Sequence, residues 1–199
     1  MIEAKSLPCD GNRFFKVTTD PTVEPISVAD LKTFARIDGS DEDTMLSNFI
    51  VSARQAAENY LGIALISQTI TLKMDFWPSE NISLPRPPLI SITAVETLDE
   101  DDTASTYSSD NYYIITTGDY GQLVINRNTT WPLNTVRDHG GYQIRYVAGY
   151  GTAATDVPRA IRDGLFLWAT DIYENRVIRD VPPPEAMSLL QKYRIERID

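Results

Sequence analysis

The sequence is poor in the side chains that redox, metal and nucleophilic chemistry use. Its 199 residues hold one cysteine, Cys9, and one histidine, His139. A single cysteine excludes an internal disulfide and every multi-cysteine zinc motif, which suits a reducing compartment. A base must sit within hydrogen-bond reach of its nucleophile, yet His139 stands in the turn Asp138-His139-Gly140-Gly141, where a solvated turn residue is the simpler reading. One His and one Cys far apart in sequence cannot supply a zinc tetrad. Positive charge is short as well: 18 Lys and Arg face 28 Asp and Glu, giving a net charge of -10 and an isoelectric point near 4.6. A surface that grips duplex DNA needs clustered cations, so that role is disfavoured, although an acidic wall lets DNA pass without adsorbing. No apolar run approaches the ~18 residues needed to span a bilayer. The start, MIEAKSLPCDG, lacks the basic-then-apolar layout of a secretory signal. The expectations are a soluble, cytoplasmic chain, no membrane, no metal and no cofactor.

What is present is ordinary globular material, 42% hydrophobic, enough for one sizeable core or a core with a satellite. Ser27 followed by Asp30 and Leu31 predicts a helix start, with Ser27 as N-cap and Ile26 stapling onto Leu31. That helix should run to about Ile37, with Gly39 as a left-handed C-cap. Ser40-Asp41-Glu42-Asp43 predicts a second start, a cap plus three acids at the positive end of the helix dipole. Met45, Leu46, Phe49, Ile50, Ala53, Ala56, Ala57, Tyr60 and Leu61 then recur at helical spacing, Arg54 and Glu58 pair at i,i+4 on another face, and Gly62 ends the helix.

From Leu65 the period changes to two, and Ile66, Gln68, Ile70, Leu72, Met74 and Phe76 mark a long half-buried strand. Further strands are expected at Ile90 to Leu98, Tyr112 to Thr116, Gln122 to Asn126 and Tyr142 to Val147, between turn clusters such as Thr117 to Gly121. Their connections are too short for parallel crossovers, so about five antiparallel strands fill residues 65 to 148. "LPRPPLISIT", Leu84 to Thr93, has PxxP spacing but lies inside this pattern, which favours strand entry over a docking peptide. Asp99 to Asp102 lacks the spaced ligands of a calcium loop and reads as a solvated hairpin tip. "GYGTAATD", Gly149 to Asp156, lacks the lysine of a phosphate loop and reads as a linker. Trp77, Trp131, Tyr142, Tyr146 and Tyr150 are assigned to the core of the β module.

Helix returns at Pro158, with Ile161, Leu165, Trp168, Ala169 and Ile172 on one face, apolar enough to pack on the first two helices. After Asn175, Pro182 to Pro184 form a stiff spacer and Glu185 to Ile195 one short helix. Its Met187, Leu190, Lys192, Tyr193 and Arg194 combine apolar anchors with positive charge, the composition of a docking arm. On that reading, removing Val181 to Asp199 leaves a folded, soluble protein.

In order, "PISVADLKTFARIDGSDEDTMLSNFIVSARQAAENYLGIALISQT", "ISLPRPPLISITAVETLDED", "YVAGYGTAATDVPRAIRDGLFLWATDIYENR" and the closing "LLQKYR" resemble the head-to-tail connector, or adaptor, proteins of long-tailed phages and phage-derived gene transfer agents. The resemblance covers residues 25 to 194. It implies a non-enzymatic neck protein, with a ring, usually of twelve copies, beneath the portal, a platform for stopper or tail-terminator proteins, and a lumen through which DNA leaves. It also implies that the C-terminal arm contacts the portal, through Leu189, Leu190, Lys192, Tyr193 and Arg194.

The expected fold is α+β: a small helical bundle with an inserted antiparallel β module and a C-terminal docking arm. Residues 1–25 are an N-terminal extension, 26–62 and 157–175 the helical core, 63–156 the inserted module and 176–199 the portal-docking arm. The reading from another class is a non-enzymatic carbohydrate- or peptide-binding β module on a helical base.

Overall fold

The computed structural model describes residues 13–78, 81–118, 120–132 and 136–195. Cys9 and the other residues before Arg13, and residues 196–199 of the expected arm, lie outside the described residues. The chain forms two compact units. The β unit takes Ser67–Gly149 together with the described residues up to Asp20, and the helical unit takes Pro21–Ile66 and resumes at Tyr150. The chain thus passes from one unit to the other after Ile66 and returns after Gly149, a narrower excursion than the 63–156 expected. Ile63, Leu65 and Ile66 on one side and Val157 on the other are buried in the helical core, which holds them in that unit.

In the helical unit, α1 spans Val28–Ala35. Ser27 caps it as expected: its Oγ accepts the Asp30 N–H at 3.1 Å and donates to the Asp30 carboxylate at 2.7 Å. The helix stops earlier than Gly39, because Arg36 turns left-handed (φ 56°) and both Arg36 and Ile37 donate their N–H to the Lys32 carbonyl. Lys32 then stitches the following turn by bonding the Gly39 carbonyl and Asp43 at 2.7 Å. Helix α2 spans Asp43–Leu61 with Glu42, not Ser40, at the cap position and no side-chain cap. Ser40 contributes only its carbonyl, to the Asp43 N–H, while the Glu42 carboxylate is drawn off to the Tyr173 hydroxyl at 2.6 Å. Gly62 (φ 73°) closes α2 as the sequence predicts.

Helix α3, Arg159–Asn175, has Pro158 at its cap and buries Ile161, Leu165, Trp168, Ala169 and Ile172, the five predicted positions. Trp168 and Ile172 share one core with Leu46, Ile50 and Ala53 of α2, and Phe49 packs against it. Helix α4, Pro184–Leu190, joins the same core through Ala186 and Leu190.

The β unit holds two antiparallel sheets rather than one five-stranded module. Strands β1 (Arg13–Thr19), β2 (Gln68–Met74), β3 (Ile82–Leu84), β4 (Leu89–Leu98), β5 (Ala104–Thr106), β6 (Tyr112–Ile115), β7 (Gly121–Ile125) and β8 (Tyr142–Ala148) are arranged as β1-β2-β8-β4-β5 and β3-β7-β6. The extension expected over residues 1–25 therefore contains an edge strand, with Phe15 opposite Leu72 and Val17 opposite Ile70. Strand β4 does not keep period two. Its register slips against β8 between Leu89 and Ser91 and between Ile92 and Ala94, and Ala94 to Leu98 are all buried.

The proline stretch bridges β3 and β4. Tyr146 is fully buried and donates its hydroxyl to the Pro85 carbonyl at 2.7 Å, and the Gly149 N–H donates to the Pro88 carbonyl at 2.9 Å. A segment tied down at both ends is strand entry, not a free ligand peptide.

Candidate assembly surfaces

Two closely packed features build the C-terminal part of the helical unit. Pro184 presets the first turn of α4, and Ala186 and Leu190, four apart, fall on one face, both at 0% exposure. Leu190 fits because its partner on α3 is a glycine: a Cβ on Gly164 would lie 2.9 Å from the Leu190 Cγ and Cδ2. A tight turn over Gln191–Tyr193 follows. The Ile195 N–H then donates to the Leu61 carbonyl at 3.0 Å, and the Arg194 guanidinium stands 5.1 Å over the Tyr60 ring.

This corrects the expectation of a free arm, since residues 184–195 fold onto their own helical unit. Of the five residues assigned to portal contact, Leu190 is core and Tyr193 packs against the core. Leu189 is half-buried, and Lys192 and Arg194 are exposed. Lys192 lies 5.2 Å over the Tyr193 ring. Removing Val181 to Asp199 would uncover the Gly164 face of α3, so the truncated chain is not expected to stay intact. The pairing of Leu190 with Gly164 is spatial and left no local signal.

Between α3 and α4 runs an irregular strap, which the sequence reading included in the 176–199 arm without singling out its aliphatics. Arg176 ends α3 in a left-handed conformation. Its guanidinium is anchored over Tyr173 at 4.6 Å and Phe49 at 5.7 Å, and it donates to the Met45 sulfur. Beyond that anchor Val177, Ile178 and Val181 are 47%, 60% and 53% exposed. Val177, Ile178 and Val181 keep one-face helical spacing, but they follow the stop at Arg176 and run into Pro182 to Pro184, where no helix can form to bury them, and that conflict is the signal that was available. The Glu42 bond also holds the Tyr173 hydroxyl above its ordinary pKa. Burial and the neighbouring Tyr193 do the same for Tyr150, which belongs to the helical unit rather than to the β core.

The pair Arg54 and Glu58 is buried, with a third member outside the helix. Arg54 Nε donates to Glu24 at 2.7 Å and its Nη1 to Glu58 at 3.0 Å. The other Glu58 oxygen accepts the Leu65 N–H at 2.8 Å, which ties the chain past Gly62 back to α2. Burial disfavours the Arg54 charge, but the two carboxylates outweigh it and hold its pKa above the usual value. On the same unit Phe34 of α1 stacks on Phe166 at 5.4 Å and stays 49% exposed.

The β unit carries a partly exposed aromatic chain. Trp77 stacks on Trp131 at 4.5 Å and meets Tyr142 at 4.8 Å, and Tyr107 lies 6.2 Å from Trp131. His139 is a solvated turn residue whose Nδ1 lies 3.4 Å from Asp75. At the β4–β5 tip the Asp99 carboxylate accepts the Asp101 and Thr103 N–H groups, which is turn architecture. Among the described residues no three His, Cys, Asp or Glu side chains gather to hold a metal ion, and no helix is long and apolar enough to cross a membrane.

Residues 24–178 match the family model described as head completion protein. No match was found among curated proteins. Among solved structures the chain is similar to one from the neck of an empty gene transfer agent (GTA) particle computed with C6 symmetry, with TM-score 0.79, 21% identity, and 93% of this chain and 97% of that chain covered. It is similar to another from the virion of a native GTA particle, with TM-score 0.78, 21% identity and coverage of 92% and 96%. A third comes from the neck of a native GTA particle computed with C12 symmetry, with TM-score 0.74, 21% identity and coverage of 92% and 97%.

Proposed function

The chain belongs to the head completion protein family, and from that premise we propose that it is a structural, non-enzymatic neck protein of a virion or phage-like particle, forming an adaptor ring between the portal and the stopper or tail-terminator proteins. The observation that carries this reading is the likeness of both units, helical and β, to chains of a particle neck and virion over nearly their whole length. Twelve copies agree with the twelvefold symmetry in which one similar neck was computed. A ring is one heterologous contact repeated until the rotation closes, so it requires two complementary patches per subunit and no reactive group. The surplus of carboxylates suits a lumen through which DNA passes without adsorbing.

The portal-facing surface in this proposal is the outer side of the folded C-terminal segment. Leu189, Lys192 and Arg194 are the side chains free to meet the portal, and Leu190 and Tyr193 hold the segment in place from inside. The test is the mass of the full-length protein with and without portal rings, by light scattering. Ring formation, or a portal-dependent ring, is expected. A persistent monomer that binds glycans through Trp77 and Trp131 would overturn the proposal in favour of a carbohydrate-binding module.

A further inference from the structure

We infer that the strap Val177–Val181 of one copy seats in the depression beside the α1–α2 turn of the next copy, making the contact that closes the ring; this rests on the ring reading above. The depression is open, about 830 Å³, and is lined by Val28, Ala29 and Ile37 with Arg36 and Asp38 among its polar residues. Val28 and Ile37 pack their inner sides on the core, so the surface they offer is held rigid. The strap is an irregular segment whose three aliphatics are each about half exposed or more. Three exposed large aliphatics gathered within five residues mark an interaction site rather than scattered exposure.

Charge selects the occupant. The strap carries Arg179 and Asp180 side by side, and the depression carries Arg36 and Asp38. All four are exposed, and no ion pair involving any of them occurs among the described residues. Arg179 opposite Asp38 and Asp180 opposite Arg36 form two crossed ion pairs, a match that a second copy of this chain offers. Burial of the aliphatics then supplies affinity, and the charges fix register. Because strap and depression are different surfaces, each contact leaves one of each unfilled at the ends of a growing arc, which adds copies until it closes.

The test uses the full chain in particles made by the host. In a Cys9→Ser background, Ile37→Cys and Ile178→Cys together should give, on oxidation, a ladder of covalent multiples of the chain on a denaturing gel, and either cysteine alone should not. A chain that is present in particles as a ring without a ladder overturns this contact and leaves the ring standing. A parent chain that forms no ring removes both. A second arm is Val177→Ser, Ile178→Ser and Val181→Ser combined. Exposed positions should leave the urea midpoint unchanged while incorporation falls at least tenfold, and unchanged incorporation overturns the inference. Arg179→Glu and Asp38→Arg should each lower incorporation, and the two combined should recover it; no recovery overturns the charge pairing.

Discussion

Replacing Leu190 by alanine asks whether the C-terminal segment is part of the helical core. Leu190 has 0% exposure and faces Gly164 with no spare room. Large-to-small changes of this kind cost about 2–5 kcal/mol. Full enclosure against a glycine places Leu190→Ala near 3–4 kcal/mol, since a helix backbone cannot collapse into the space left behind. Gly164→Ala acts from the other side. It gains up to about 1 kcal/mol of helix propensity, but its methyl would stand 2.9 Å from Leu190, and overpacking of that kind costs about 1–3 kcal/mol. The net loss is about 1 kcal/mol.

The double variant separates packing from mere addition. The new methyl enters the space Leu190 vacates, so the pair should be less destabilised than the sum of the singles by at least about 1 kcal/mol. Urea unfolding followed by helical circular dichroism, with unchanged m-values, reads all three. If both singles fall within about 0.5 kcal/mol of the parent and add without coupling, Leu190 is not enclosed and the reasoning fails.

Arg54→Ala removes the cation beside the buried Glu58 carboxylate and should cost about 3–5 kcal/mol by the same unfolding assay; a loss under about 1 kcal/mol would show the network to be solvated. Gly121→Ala places a methyl onto the Leu89 side chain and should cost the β unit about 1–3 kcal/mol, read as earlier loss of strand signal on heating. Tyr150 and Tyr173 hold their protons more tightly folded than unfolded. Their contribution is therefore complete below the ordinary tyrosine value of 10.0 and is lost as pH rises through their folded values. Above about pH 10 the urea midpoint should fall, less steeply in Tyr150→Phe; identical alkaline slopes in parent and variant would contradict this.

What was legible in the sequence is what neighbours in sequence decide. The Ser27 cap, the Gly62 stop and the buried face of α3 each rest on residues within a turn of one another, and each stands where the spacing puts it. Ser40 failed as a cap because the acids beside it found distant partners, Glu42 with Tyr173 and Asp43 with Lys32. Strands β3 and β5 are three residues each, too short to show a period. Strand β1, RFFKVTT, is rich in strand-forming residues and was readable, but it pairs with β2 some fifty residues away. The division into two sheets was not readable, because it depends on which strands pair and not on how each alternates. That the arm packs on its own unit was unreadable for a related reason: apolar anchors next to positive charge describe a docking segment equally well whether its groove lies on another protein or on α3.

The most direct measurement is electron microscopy of particles made in a host lacking this chain. A neck ring that joins portal to tail predicts heads without tails, restored by supplying the chain. Tailed particles of normal appearance in its absence would contradict the account.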